Sequence, residues 1–150
     1  MGNKTVKWSF LIKTNGHIVK KPFFDDGDTL KQLQEDVKGY IELLRGCAQN
    51  IFPDHDIYVN EEGIILELPI NLMATILHGM NQFIHGNAVV IGRKTNEYGE
   101  ILSAGLSLEE ADEIIAKLEA IKKDFIDFCS NQGYIIPDEL GFRAENNAEV

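Results

Sequence analysis

Residues 86–105 read GNAVVIGRKTNEYGEILSAG, and this stretch places β-structure in the second half of the chain. Residues 88–91 form an uninterrupted apolar run between two glycines, which predicts a short strand. A polar turn around residues 96–99 follows, and residues 101–102 predict a short returning strand. The glycines do not indicate a nucleotide site, because the stretch lacks the GxGxxG motif and the lysine spacing of a phosphate-binding loop.

A hairpin is predicted at the start of the chain, in TVKWSFLIKTNGHIVKKPFF (residues 5–24). Apolar and polar residues alternate along its first half. Asn15-Gly16 is a strong hairpin signal, because both turn residues tolerate positive φ. Pro22 is predicted to end the pairing, since proline has no N–H for a strand ladder.

A second hairpin is predicted in DIYVNEEGIILEL (residues 56–68), with Gly63 at the positive-φ turn position. Glu61 and Glu62 would then lie at the hairpin tip. Carboxylates at an exposed tip are solvated, so they are poor candidates for acid–base catalysis.

The segment after the first hairpin predicts a helix with two alternative ends. Thr29 and Gln32 have capping-box spacing, and the apolar residues that follow recur at helical intervals. This phase continues to Arg45, which permits one long helix. Gly39, however, would cost about 1 kcal/mol inside a helix and is typical of a helix end, and residues 40–44 would then form a strand. Both alternatives are compatible with the local sequence.

Two further helices are predicted downstream. Asn71 fits the N-cap of a short helix whose end lies between Gly79 and Gly86. Ser107 and Glu110 make a second capping box, which begins a long amphipathic helix. The predicted buried stripe of the long helix contains Ala111, Ile114, Ile115, Leu118, Ile121, Phe125, Phe128 and Cys129.

A chain of 150 residues fits one domain. Gly133 predicts the end of the long helix, so a single domain spans residues 1–133 and residues 134–150 form a C-terminal tail that is partly disordered by its end. The predicted fold class is α+β. It comprises an antiparallel or mixed sheet of about five strands, a long C-terminal amphipathic helix and two short helices.

The formal net charge of −10 is unevenly distributed. Residues 1–96 hold 10 basic and 11 acidic side chains, whereas residues 97–150 hold 4 and 13. This asymmetry disfavours duplex nucleic acid as a partner, because such binding needs Lys and Arg to neutralise phosphates. An acidic face can instead meet a basic partner. No apolar run approaches the ~20 residues of a membrane span and no secretory signal begins the chain, so a cytoplasmic setting is expected.

Metal and nucleophile chemistry have no recognisable motif in the sequence. The four histidines show no HxxxH or HExxH spacing. Cys47 and Cys129 have no CxxC partners and are interpreted as reduced thiols. We therefore expect neither a metal nor a cofactor.

Four polar residues are the candidates for a ligand-binding site: Asn71, Asn87, Arg93 and Lys94. Asn71 follows a proline at a strand-to-helix junction, where free backbone N–H groups favour an anion. Arg93 lies at a strand end, from which its side chain can reach a ligand on the sheet edge. Together these residues could hold a nucleotide phosphate or base without chemistry. Simpler roles stay open, because Asn71 also fits a helix cap and Asn87 a strand start.

Three segments resemble domain-of-unknown-function family 3846: LKQLQEDVKGYIEL (residues 30–43), DIYVNEEGIILELPIN (56–71) and GNAVVIG (86–92). The resemblance covers about residues 5–125. It implies that the first helix ends at Gly39 and that residues 40–44 pair with Asp56–Asn60. The family comprises small proteins encoded mostly by bacteriophages, plasmids and related mobile elements, and it carries no assigned activity. Both asparagine candidates resemble recurrent family positions.

We expect a non-enzymatic accessory protein of a phage or related mobile element, which binds and inhibits or modulates a host factor in the host cytoplasm. Host takeover and anti-defence are the corresponding roles. One alternative is a sponge that sequesters a small nucleotide signal with Asn71, Asn87 and Arg93, and another is a small enzyme of unknown reaction. The expected partner is a host protein or a small nucleotide rather than duplex nucleic acid or a membrane. The oligomeric state is open, a homodimer included.

Overall fold

Strands from both halves of the chain form one sheet in the computed structural model, which describes residues 5–142. The described strands are β1 (Lys7–Ile12), β2 (Ile18–Phe23), β3 (Ile41–Leu43), β4 (Asp56–Asn60), β5 (Ala88–Thr95) and β6 (Ile101–Ala104). Their order is β2-β1-β5-β4-β3, and β6 pairs with the second half of β5. Every pairing between these strands is antiparallel. The predicted α+β fold is confirmed, with six strands in the described part rather than about five.

The helices of the described residues are α1 (Thr29–Val37), α2 (Cys47–Ile51), α3 (Leu72–His78) and α4 (Leu108–Gln132), followed by a 3₁₀ turn at Asp138–Leu140. The sequence predicted α1, α3 and α4. Helix α2 was not predicted, because it has only 5 residues and begins after Gly46 without a side-chain cap. No helix within residues 5–142 is long and apolar enough to cross a membrane.

Strand β5 separates two buried layers. Val90 packs in the larger layer, which α3 and α4 cover, whereas Val89 and Ile91 pack against Leu33 of α1 on the opposite face. All side chains of residues 88–91 are buried. The uninterrupted apolar run therefore arises because both faces of this central strand are covered.

Strands β1 and β2 form the predicted hairpin, with Gly16 at a φ of 87° in the turn. Pro22 does not end the pairing as predicted, because it lies opposite Trp8 and β2 continues to Phe23. The backbone N–H and carbonyl of Trp8 bond instead to Leu106, at 2.9 and 2.7 Å. The Trp8–Pro22 pair consequently needs no proline N–H, and this edge strand tolerates the residue.

The second predicted hairpin is wrong. Strand β4 ends at Asn60, and residues 61–67 form successive turns rather than a returning strand. The turns begin where the Asn60 side-chain oxygen accepts a hydrogen bond from the Glu62 N–H at 2.7 Å. Gly63 is not at positive φ. A Cβ there would lie 2.3 Å from the carbonyl oxygen of His85, so close packing is what requires this glycine.

Helix α1 ends before Gly39, and β3 pairs with β4, so the strand alternative is confirmed. The N-cap is Asp28 rather than Thr29. The left-handed residue at the end of α1 is Lys38, with a φ of 61°, and not Gly39. A Cβ on Gly39 would lie 2.7 Å from Nδ2 of Asn60, so this glycine is needed for close approach.

Helix α4 has the predicted capping box at its start and the predicted glycine at its end. Phe128 was predicted to lie in the buried stripe but is 55% exposed. Lys122, which was not predicted to lie there, is buried. The other stripe residues are buried or half-buried. Phe128 precedes the buried Cys129 by one residue, which places it about 100° around the helix axis and outside the contact line.

Residues 134–142 turn back against α4. Phe142 is 3% exposed and meets Phe125 edge to face, with ring centroids 5.8 Å apart. Residues after Gly133 thus contribute apolar side chains to the core. The disorder predicted for the end of the tail concerns residues 143–150, which lie outside the described residues.

Candidate functional site

Asn71 is a fully buried residue whose side-chain groups are all occupied. Its Oδ1 accepts a hydrogen bond from the Ala74 N–H at 3.0 Å, which confirms the predicted helix cap. Its Nδ2 donates to the carbonyl oxygens of Ile12 and Gly86, both at 2.9 Å. A ligand would reach this side chain only by displacing these internal hydrogen bonds.

Asn87 is half-buried beside the end of β1. Its Oδ1 accepts a hydrogen bond from the Thr14 N–H at 3.3 Å, and its Nδ2 lies 3.4 Å from the carbonyl oxygen of Asp36. These contacts connect the start of β5 to β1 and α1. The simpler sequence interpretation, a residue at the start of a strand, describes its position.

Arg93 is held within the chain by its own hydrogen bonds. Its guanidinium donates to Asp56 Oδ1 at 2.8 Å and to the carbonyl oxygens of Pro53 and His55. The hydrogen bond to Asp56 raises the pKa of Arg93 against the smaller, opposite effect of burial. These hydrogen bonds therefore connect the loop before β4 to β5.

The four candidate residues do not form one site. Asn87 and Arg93 are six residues apart along β5, which corresponds to about 20 Å in an extended strand. Lys94 is exposed and lines a separate cavity of about 340 Å³ together with Tyr58. The structure thus divides the predicted nucleotide-binding set between the two ends of one strand.

No group of three His, Cys, Asp or Glu side chains within residues 5–142 is arranged to hold a metal ion. His55 shares a hydrogen bond of 3.0 Å with Glu110. Burial raises the pKa of Glu110, but the hydrogen bonds from His55 and Ser107 outweigh this effect and lower the pKa. This pair links the loop before β4 to the start of α4 and occupies both side chains.

A groove of about 730 Å³ opens between the start of α3, the C-terminal half of α4 and the segment that follows α4. Its walls are predominantly apolar, and they include Ile70, Leu72, Phe125, Cys129, Ile136 and Leu140. Glu139 is the charged residue of the lining in the described chain. Clefts of this size and polarity are typical of binding sites.

Large apolar side chains stand exposed at the rim of this groove. Ile135 is 92% exposed, and Tyr134 is also exposed, with its ring centroid 6.5 Å from that of Phe128. Phe83 lines the same groove and is 56% exposed. Exposed apolar side chains grouped around one groove make it the candidate site of this structure.

A second cavity of about 310 Å³ also has Phe83 in its lining. Ile64 and Ile65 line this cavity and are exposed, because residues 61–67 form turns instead of a strand. Glu61 and Glu62 lie in the same lining. The two cavities therefore meet at one exposed phenylalanine.

Sequence reasoning missed this site for two reasons. Residues 134–150 were interpreted as a tail, and the apolar residues after Gly63 were assigned to a hairpin strand. A signal was nevertheless present, because Tyr134-Ile135-Ile136 is an apolar run immediately after a helix stop. A solvated tail would not be expected to begin with such a run.

Comparison with known proteins identifies a family but no individual relative. Residues 9–119 match the family described as Domain of unknown function (DUF3846). Neither a curated protein nor a solved structure matches the chain. The matched region runs from β1 into α4 and includes Phe83, whereas the wall of the groove at residues 125–140 lies beyond it. Because the match covers most of the chain, the protein belongs to the DUF3846 family.

Proposed function

We propose that this protein is a non-enzymatic accessory protein that acts by binding a partner protein in the apolar groove beside α4. The observation that carries the proposal is the exposure of Ile135, 92%, at the rim of a groove of about 730 Å³. Burying one isoleucine side chain contributes about 1.5–3 kcal/mol. A partner that covers Ile135, Tyr134 and Phe83 would remove this apolar surface from water.

The resemblance to proteins of phages, plasmids and related mobile elements supports a setting for this binding. In that setting the partner is a host protein in the cytoplasm, and binding inhibits or modulates it during host takeover or anti-defence. The acidic character of the chain, with a formal net charge of −10, favours partners with basic surfaces.

Fewer observations support the two alternatives. A nucleotide sponge would use Asn71, Asn87 and Arg93, whose side chains already bond within the chain. An enzyme needs titratable groups with shifted pKa values in a cleft. Glu110 and Lys122 have shifted pKa values, but their side chains bond to other secondary-structure elements and turns of the fold. Binding through the groove is therefore the function that we put forward.

Affinity capture with matched variants tests this proposal. The full chain, Ile135→Ser and the control Ile101→Ser are immobilised and incubated with lysate of the host cell. Ile101 is also strongly exposed, 70%, but it lies in β6 and lines neither cavity. We expect one protein to be captured by the wild type and the control and to be lost from Ile135→Ser. Equal capture by all three chains would refute a partner site at the groove.

A further inference from the structure

We infer that the groove and the second cavity form one continuous surface around Phe83, and that this surface receives a basic, amphipathic segment of the partner protein. The inference rests on the proposed function, because it specifies the chemistry of that partner. This combined surface, the Phe83 surface, comprises the linings of the two cavities.

Continuity of the surface follows from the position of Phe83. Its side chain lines both cavities and is 56% exposed, so it forms a ridge between two depressions. Ile135 stands exposed at one depression and Ile65 at the other. A bound segment with apolar side chains on both sides of the ridge would cover all three groups at once.

The charges of the Phe83 surface are of one sign. Glu139 lines the groove, and Glu42, Glu61 and Glu62 line the second cavity. No lysine or arginine of residues 5–142 lines either cavity. An apolar floor with an acidic rim is complementary to a segment that has an apolar face and flanking Lys or Arg residues.

The carboxylates of the rim are available for a partner. Across residues 5–142, the side chains of Glu42, Glu61, Glu62 and Glu139 make no hydrogen bond or ion pair. By contrast, Asp56 is paired with Arg93, and Asp36 is paired with Lys21. A partner cation would therefore gain an interaction at the rim without breaking an existing one.

A second copy of this chain fits the Phe83 surface poorly. Each copy carries a formal net charge of −10 and would bring the same acidic rim toward its partner. Like charges in contact oppose association, and they do so most strongly at low salt. The charge pattern thus favours a basic partner over a homodimer at this surface.

Fluorescence anisotropy with synthetic peptides tests the inference. The probe is a labelled peptide of about 15 residues in which leucines recur at helical spacing and lysines occupy the other positions. A second peptide has the same leucine pattern with glutamate in place of lysine. Full-length wild type should bind the lysine peptide, more tightly at low salt than at high salt, and should not bind the glutamate peptide.

Three variants locate the binding. Phe83→Ala should lower the affinity for the lysine peptide about fivefold or more, because it removes the ridge of the surface. Glu61→Gln combined with Glu62→Gln should lower this affinity by a similar factor. The control, Asp112→Asn combined with Glu113→Gln, removes the same charge from exposed positions on α4 outside both cavities and should change the affinity less than twofold. Thermal melts of the same samples verify that each variant is folded.

The possible outcomes separate this inference from the proposed function. Equal weakening in the control variant would overturn the inference, since it would indicate general attraction to an acidic protein. Preferred binding of the glutamate peptide, with sensitivity to Phe83→Ala, would also overturn it but would leave the groove as a protein-binding site. Absence of binding by either peptide would overturn the inference as well. The capture experiment with Ile135→Ser then decides the proposed function by itself.

Discussion

The ammonium group of Lys122 donates a hydrogen bond to the carbonyl oxygen of Gly16, 3.1 Å away, and thereby joins α4 to the turn of the first hairpin. The same Nζ atom lies 5.3 Å from the centre of the Phe142 ring. Burial lowers the pKa of Lys122, and the charge of Glu119 opposes this effect. One buried cation therefore connects three distant segments, including the one that forms a wall of the groove.

Stability should rise with pH as Lys122 loses its proton. Its pKa in the folded protein lies below the ordinary value of 10.5. Between these two values the unfolded state binds more protons, so the free energy of unfolding increases as the pH rises toward 10.5. Lys122→Met removes the titrating group and should remove this increase, whereas exposed Lys31→Met should retain it. Urea unfolding across this range measures the difference, and parallel curves for wild type and Lys122→Met would contradict the prediction.

The side chain of Asn71 should stabilise the folded protein. Asn71→Ala removes a helix cap and two buried hydrogen bonds to carbonyl oxygens, so we expect a loss of about 2–4 kcal/mol. Asn71→Ser should also destabilise, because serine can keep the cap but cannot reach both carbonyl groups. Asn50→Ala, at an exposed position of α2, should be within about 0.5 kcal/mol of wild type. Chemical denaturation provides the measurement, and a wild-type midpoint for Asn71→Ser would show that the two buried bonds contribute little.

Two neighbouring substitutions at the end of α1 should change the free energy of unfolding in opposite directions. Lys38→Gly relieves a left-handed backbone at a φ of 61° and should stabilise by up to about 1 kcal/mol. Gly39→Ala should destabilise by about 1 kcal/mol or more, because its Cβ would meet Nδ2 of Asn60, which donates to the Val37 carbonyl. Thermal or urea melts of both variants test this assignment. A gain in stability for Gly39→Ala would mean that the Asn60 amide moves aside freely.

Truncations along α4 should follow the burial of each side chain. Leu118 is fully buried, so Leu118→Ala should cost about 2–5 kcal/mol. Ile115 is half-buried and its truncation should cost less, while exposed Glu113→Ala should lie within about 0.5 kcal/mol of wild type. Denaturant melts rank the three variants. Equal, small effects at all three positions would mean that α4 does not pack on the sheet in solution.

The predictions from sequence succeeded where neighbouring residues alone determine the structure. Ser107 and Glu110 satisfy free backbone groups within one helical turn, and Asn15-Gly16 permits the turn that its flanking strands need. The apolar run of β5 likewise required burial whatever covered it. The predictions failed at Gly63 and Phe128, where the outcome depends on segments distant in sequence.

The sequence by itself determined the fold class, the cap at Asn71, both ends of α4 and the acidic character of the chain. Only the tertiary structure decided that the donors of Asn71 face buried carbonyl groups and that Lys122 lies in the core. It also decided that Phe83 stands between two cavities. The physical reason is range: caps and turns are satisfied within a few residues, whereas burial and cavities arise from packing between elements up to 106 residues apart.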